Sequence, residues 1–274
     1  MTQAVQLLAA PFAMCLVLAG MHCYLGIHVL KRGVIFIDLS LAQVAALGYT
    51  LAMLWGGLWL TGGGYPLALL LTFVASGLFA LARRRGAAFS QEAVIGMVYA
   101  LGSAAVVLVA DRMAHGAEET KELLVGQILF VSWKDVAVTG GIYLGVGLLH
   151  WLLRKPFLAL SDGETFKGAT GMDFLFYALF GVVITSSVKV AGVLQVFTYL
   201  IVPAFLGALF FKSVQARLIF GWILGFVLSL LGLWMSYAFD MPSGAAIVVL
   251  FTLIPMAVLV AWPFFKARSG GRNG

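Results

Sequence analysis

The stretch RGVIFIDLSLAQVAALG, residues 32–48, sets an acid, Asp38, and an amide, Gln43, inside an apolar run that follows the basic pair Lys31-Arg32. In a water-soluble core helix such an acid is satisfied locally. At the centre of a bilayer-spanning helix it costs about 2.5–3.5 kcal/mol on insertion scales, and acids retained there line pathways or meet partners. Composition decides between the two. Of the 274 residues 62% are hydrophobic and 10% charged, against about 25% charged in a soluble domain. The solvent for most of this chain is lipid. Asp38 follows Arg32 by six residues, roughly 9 Å of helix rise, within reach of relief by basic neighbours.

Outward from that stretch, segments near the bilayer length of about 20 residues run over 5–30, 34–60, 65–82, 91–110, 136–153, 173–187, 190–211, 216–239 and 243–265. The first lacks the basic flank of a secretory signal and exceeds its apolar length, so it is expected to be retained as a span. Cys15 and Cys23 fall about 12 Å apart along it, too far to bridge each other. With nine crossings, Arg112, Lys121, Lys134 and Lys189 share one side and the other thirteen of the 17 basic residues share the opposite one. The excess of Lys and Arg on cytoplasmic loops then predicts an N-terminus outside and a C-terminus in the cytoplasm. The boundary at TSSVKVAG, 185–192, fits either two short tilted helices or two half-helices enclosed by protein. The whole chain, 1–274, reads as one all-α domain, a polytopic transmembrane bundle of about nine segments.

Enzyme chemistry finds no footing. GALFFKS, 207–213, lacks the glycine before the lysine that a phosphate-binding loop requires. No His-Glu-x-x-His, Cys-x-x-Cys or serine elbow is present, and the four histidines, His22, His28, His115 and His150, are scattered. The charge follows topology and gives no sign of nucleic-acid binding. The longest hydrophilic stretch on the side expected to be cytoplasmic is RKPFLALSDGETFKGATGMD, 154–173. Ser161 or Asp162 can cap a short helix over 162–171, with Asp162 and Glu164 in its first turn, where the helix dipole favours negative charge.

Six pieces, in chain order, resemble the integral permease of the metal-type ABC importers, which take up zinc, manganese or iron(II) in bacteria. RGVIFIDLSLAQVAALG resembles a segment in which the family carries Asp-x-x-x-His and a later glycine. QEAVIGMVYALGSA (91–104), ELLVGQIL (122–129), SDGETFKGATGMD (161–173), VKVAGVLQVFTYLIVPA (188–204) and MPSGAAIVVL (241–250) are similar to five further segments. Together they cover most of residues 30–255. The resemblance implies a permease that is no enzyme, sits in the bacterial inner membrane as a homodimer, and binds no covalent cofactor. Separate ATP-binding subunits would power it and an extracytoplasmic binding protein would deliver a divalent metal, zinc by preference. It also implies that Asp162, Glu164, Phe166 and Lys167 couple the chain to the ATPase, and that Asp38 and Gln43 line the pathway, Asp38 as a metal contact.

One departure concerns the metal pair. Family members place acid and imidazole four residues apart, on one helix face. Here Asp38 and Gln43 are five apart, about 140° around an ideal helix, and a glutamine oxygen suits zinc less well than an imidazole nitrogen. A π-bulge between them would restore a shared face, and His22 or His28 in the preceding span could substitute. Two other readings stay open: an ABC permease for a metal chelate or other small solute, and an ion-coupled secondary transporter working through Asp38.

Overall fold

Why nine apolar segments make one bundle is visible in a single helix around which the others pack. The computed structural model describes residues 2–55, 64–85 and 90–270. The predicted second segment as far as residue 60, the Thr61–Gly63 break and Arg272 fall partly or wholly outside these residues, and no strand occurs within them. The helices are α1 (Thr2–Arg32), α2 (Ile37–Leu54), α3 (Tyr65–Arg84), α4 (Gln91–Ala110), α5 (Gly116–Val125), α6 (Trp133–Leu152), α7 (Arg154–Ser161), α8 (Ala169–Phe210), α9 (Val214–Phe239) and α10 (Ser243–Gly270). Seven are long and apolar enough to cross a membrane, and Ser243–Val258 adds a shorter apolar stretch.

α8 is the central element. Its 42 residues would reach about 63 Å if straight, twice the hydrocarbon thickness of about 30 Å. It does not run straight, because Gly192 takes φ 74 and ψ 163 inside it. The first half runs from Asp173, paired with Arg32 of α1, to Val190, whose carbonyl accepts the Gln127 N–H at 3.1 Å. The second half returns, packing Leu200 and Ala204 against Gly26 of α1. Counting α8 as two gives nine apolar segments among the described residues, in line with the reading of the sequence.

Within the predicted boundary 185–192, the break lies at the last residue, Gly192. The polar residues before it stay helical because the hydroxyls of Ser186 and Ser187 donate to carbonyls three or four residues back, which satisfies them without ending the helix. What ends it is the backbone conformation that only glycine adopts readily. A β-carbon at Gly192 would also lie 2.6 Å from the Val125 carbonyl carbon and 2.7 Å from the Leu124 oxygen. Gly126 faces it and is itself at φ 80. Close backbone approach of this kind is how helices gain packing energy in lipid, and Gly48 against the Ala68 amide repeats it between α2 and α3.

Two further expectations are corrected. The short helix of the hydrophilic stretch is α7, Arg154–Ser161, and 162–168 is a turn and extended loop. Pro156 fits the first turn of α7, where its missing N–H costs little. Ser161 caps no following helix, because it is itself the last residue of α7 and its oxygen already accepts from Arg32 Nε at 3.0 Å while its proton goes to Phe157 at 2.8 Å. Asp162 closes α7 and Gly168, at φ 90, opens α8. Second, α2 is α-helical without interruption from Ile37 to Leu54, so the π-bulge that would bring Asp38 and Gln43 onto one face is absent.

Candidate functional site

Asp38 enters α2 in its first turn, where the unpaired amides of the helix start offer a favourable potential. Its side chain is 1% exposed. Neither carboxylate oxygen finds a hydrogen-bond partner among the described residues. A buried acid left in that state is costly. Gln43 is also buried, on another side of the helix, with its β-carbon against Gly102 of α4. On a regular helix the two lie about 140° apart.

The two histidines of α1 are enclosed by protein. His22 Nδ1 lies 2.8 Å from the Leu18 carbonyl and Nε2 lies 3.1 Å from the Ser187 hydroxyl; Ser187 in turn bonds Tyr143 of α6. His28 Nδ1 meets the Ser161 hydroxyl at 2.8 Å. Since that hydroxyl spends its proton on Phe157, His28 carries its own proton on Nδ1. His28 packs among Tyr24, His150 and Phe176, and its Nε2 has no hydrogen-bond partner among the described residues. The four residues expected to line the pathway are therefore all buried and do not meet at one point. Among the described residues, no group of three or more His, Cys, Asp or Glu side chains could hold a metal ion.

The residues expected to couple the chain to an ATPase share one exposed loop. Asp162, Glu164, Phe166 and Lys167 all lie in 162–168, and Phe166 is 39% exposed. The loop is open to solvent yet its base is fixed. Lys31 holds Asp162 at 2.7 Å, and Arg32 Nε donates to Ser161 at 3.0 Å.

Beneath this loop lies an ion network that reading the sequence did not identify. Asp173, near the start of α8, accepts from Arg32 of α1 at 2.8 Å and pairs with Arg83 of α3 at 3.3 Å. The Arg32 side chain is fully buried and stacks on the Phe176 ring, 3.8 Å from its centroid. Arg83 also donates to the Leu160 carbonyl of α7 at 2.5 Å, and Gln91 of α4 reaches the Tyr177 hydroxyl at 2.9 Å. Five helices thus meet through one carboxylate and its neighbours. The signal available in the sequence was a lone acid at the start of a span whose end of the bundle carries most of the arginines.

The comparisons with known proteins agree with this architecture. Residues 4–261 match the model of the ABC 3 transport family. A manganese transport system membrane protein, MntC, of Halalkalibacterium halodurans is 23% identical over 261 residues, which are 93% of this chain and 86% of that protein. The manganese import system permease ScaB of Streptococcus pneumoniae is 27% identical over 60% of this chain and 59% of its own length. The solved structure of PsaBC from Streptococcus pneumoniae in complex with Fab superposes with a TM-score of 0.74 at 19% identity, covering 92% of this chain and 91% of that one. That likeness shows a shared fold. A buried helical scaffold, an exposed loop on a fixed base and a family match over nearly the full length lead to one conclusion: the chain belongs to the ABC 3 transport family and is built as a multi-pass membrane permease.

Proposed function

We propose that this permease carries a divalent first-row metal ion across the bacterial inner membrane. Two copies pair around the pathway, cytoplasmic ATP-binding subunits supply the energy, and an extracytoplasmic binding protein delivers the ion. The observation that carries the cation is Asp38, a buried carboxylate whose oxygens have no hydrogen-bond partner among the described residues. A passing cation would supply the missing charge. The donor that Asp38 offers is a carboxylate oxygen, and oxygen ligands suit manganese better than they suit zinc. Manganese is therefore the first ion to test, with iron(II) second and zinc, which the resemblance ranked first, as the comparator. A metal chelate is the second reading, favoured by Gln43 standing where the resemblance implies an imidazole.

The test is ATP-driven accumulation in vesicles holding the permease with its ATPase. Asp38→Asn is expected to lower manganese uptake by at least tenfold while the protein still inserts and assembles. Wild-type uptake by Asp38→Asn for every metal tried would make the acid structural. Uptake that persists without ATP and follows an ion gradient would favour a secondary carrier.

The loop 162–168 is the proposed ATPase contact, which puts that end of the bundle and the C-terminus in the cytoplasm and the N-terminus outside. Phe166 is its apolar anchor. Interface aromatics often cost about 2 kcal/mol on truncation, roughly a thirtyfold weakening. Phe166→Ala should weaken ATPase capture in detergent by about that factor, with Glu164 and Lys167 setting register and encounter rate. Unchanged capture and unchanged coupling of hydrolysis to uptake would reduce the loop to a connector.

A further inference from the structure

At the end of the bundle remote from the arginine network, α2, α3, α6 and α8 enclose a cleft of about 660 Å³. Its floor includes Tyr49 and Ser186, both buried. Their hydroxyls are already committed, Tyr49 to the Thr185 carbonyl at 2.9 Å and Ser186 to Val182 at 3.0 Å. Apolar side chains, Val131, Val138, Ile142 and Val190, form much of the wall. Lys134 and Lys189 also line it, both exposed. Neither ammonium group makes an ion pair or hydrogen bond among the described residues. The one carboxylate in the lining, Asp135, lies within electrostatic reach of both lysines. It is engaged at the start of α6, accepting from the Ser132 amide at 2.9 Å and the Ser132 hydroxyl at 2.6 Å.

The height of the cleft can be read from helix rise. Along α8, Lys189 is sixteen residues from Asp173, about 24 Å. Along α3, Tyr65 at the cleft is eighteen residues from Arg83, about 27 Å. Those spacings approach the hydrocarbon thickness of about 30 Å, so the lysines stand near headgroup level when the arginines stand at the opposite interface. Exposed aromatic residues mark the same level: Phe130 is 82% and Trp133 61% exposed, as in the belts where rings meet headgroups. From Lys134 to Ile142 the wall descends eight residues, about 12 Å into the hydrocarbon.

We infer that this cleft binds an anionic phospholipid, its phosphate held between Lys134 and Lys189 and one acyl chain laid along Val138 and Ile142. On the cytoplasmic side, basic pockets between spans hold anionic headgroups by this pairing of ammonium and phosphate, and here the same pairing is available to the outer leaflet. The sign of the rim excludes a bare divalent cation as the occupant. A zwitterionic lipid brings its own cation up against the two ammonium groups, and free phosphate leaves the apolar wall uncovered. The lysines are the determinant of charge and the wall is the determinant of chain.

The permease purified in mild detergent is offered phosphatidylglycerol and phosphatidylcholine in equal amounts, and retained lipid is counted by native mass spectrometry. Wild type should keep phosphatidylglycerol selectively, at about one per protomer. The pair K134Q/K189Q should lower that retention by roughly thirtyfold, the combined pull of two lysines on an anionic headgroup. Ile142→Trp, which fills the wall and leaves the charges, should lose the lipid as well. Both positions of the lysine pair are exposed, so a matching gel-filtration profile is expected, and the wild-type competition stands even if a variant fails to fold. Equal retention of both lipids by wild type, or undiminished retention by K134Q/K189Q, overturns the proposal. So does displacement of the lipid by inorganic phosphate at millimolar levels, or a loss of dimer in place of a loss of lipid.

Discussion

Asp173→Ala is expected to produce the largest loss of stability of any single substitution at the charged end of the bundle. The carboxylate is shared by two guanidinium groups, and the Arg32 side chain has no exposure to water. Removing one partner of a buried ion pair strands the other and costs about 3–5 kcal/mol. Arg83, one-fifth exposed, can turn toward solvent, so most of the penalty falls on Arg32. The measurement is thermal unfolding in detergent, followed by gel filtration of the fluorescently tagged protein. Asp173→Asn should recover part of the loss because its amide oxygen still accepts a hydrogen bond. Arg32→Gln combined with Asp173→Asn should be less harmful than the two single effects added, with a coupling of about 0.5–3 kcal/mol. Strict additivity would mean that the pair contributes nothing jointly.

Gly192→Ala should rank second. The residue combines φ 74 with ψ 163, a backbone region essentially reserved for glycine and costing other residues about 1–3 kcal/mol. The new methyl group would also press on the backbone of Val125 and Leu124, and overpacking of this kind costs about 1–3 kcal/mol more. Gly126→Ala meets the same contact from the other side, 2.6 Å from the Gly192 nitrogen. Each variant should lower the unfolding temperature, and the double variant should be no worse than the sum, since both report one approach of two chains. A wild-type unfolding temperature for Gly192→Ala would show that α8 can turn elsewhere.

The extent to which this structure could be read from the chain follows the range of each interaction. Spans were legible because the solvent writes them into composition over about twenty residues at a time. The turn in α8 falls at the last residue of the boundary read from the sequence, 185–192, because Ser186 and Ser187 satisfy their hydroxyls on their own helix and leave the turn to Gly192. The short helix was misplaced for a related reason: Ser161 has the chemistry of a cap, but His28 and Arg32, more than 125 positions away, claim its hydroxyl. Asp38 and Gln43 were visible as polar residues in an apolar run. Their angular separation needed only a regular helix to be settled, and α2 is regular. Asp173 was the opposite case, an acid whose two partners lie on α1 and α3 and leave no local mark.

The tether of loop 162–168 has a mechanical consequence. One end is held by Lys31 through Asp162, and just beyond the other end Asp173 is held by Arg32. Both anchors are consecutive residues of the same helix, so the loop is a handle fixed at both ends to α1. A push on the handle is passed to that helix through these two ion pairs. With 31 residues, α1 is about 46 Å long. It therefore carries such a stroke past His28 and His22 over the 21 residues from Arg32 to Pro11, about 32 Å and so the thickness of the hydrocarbon layer.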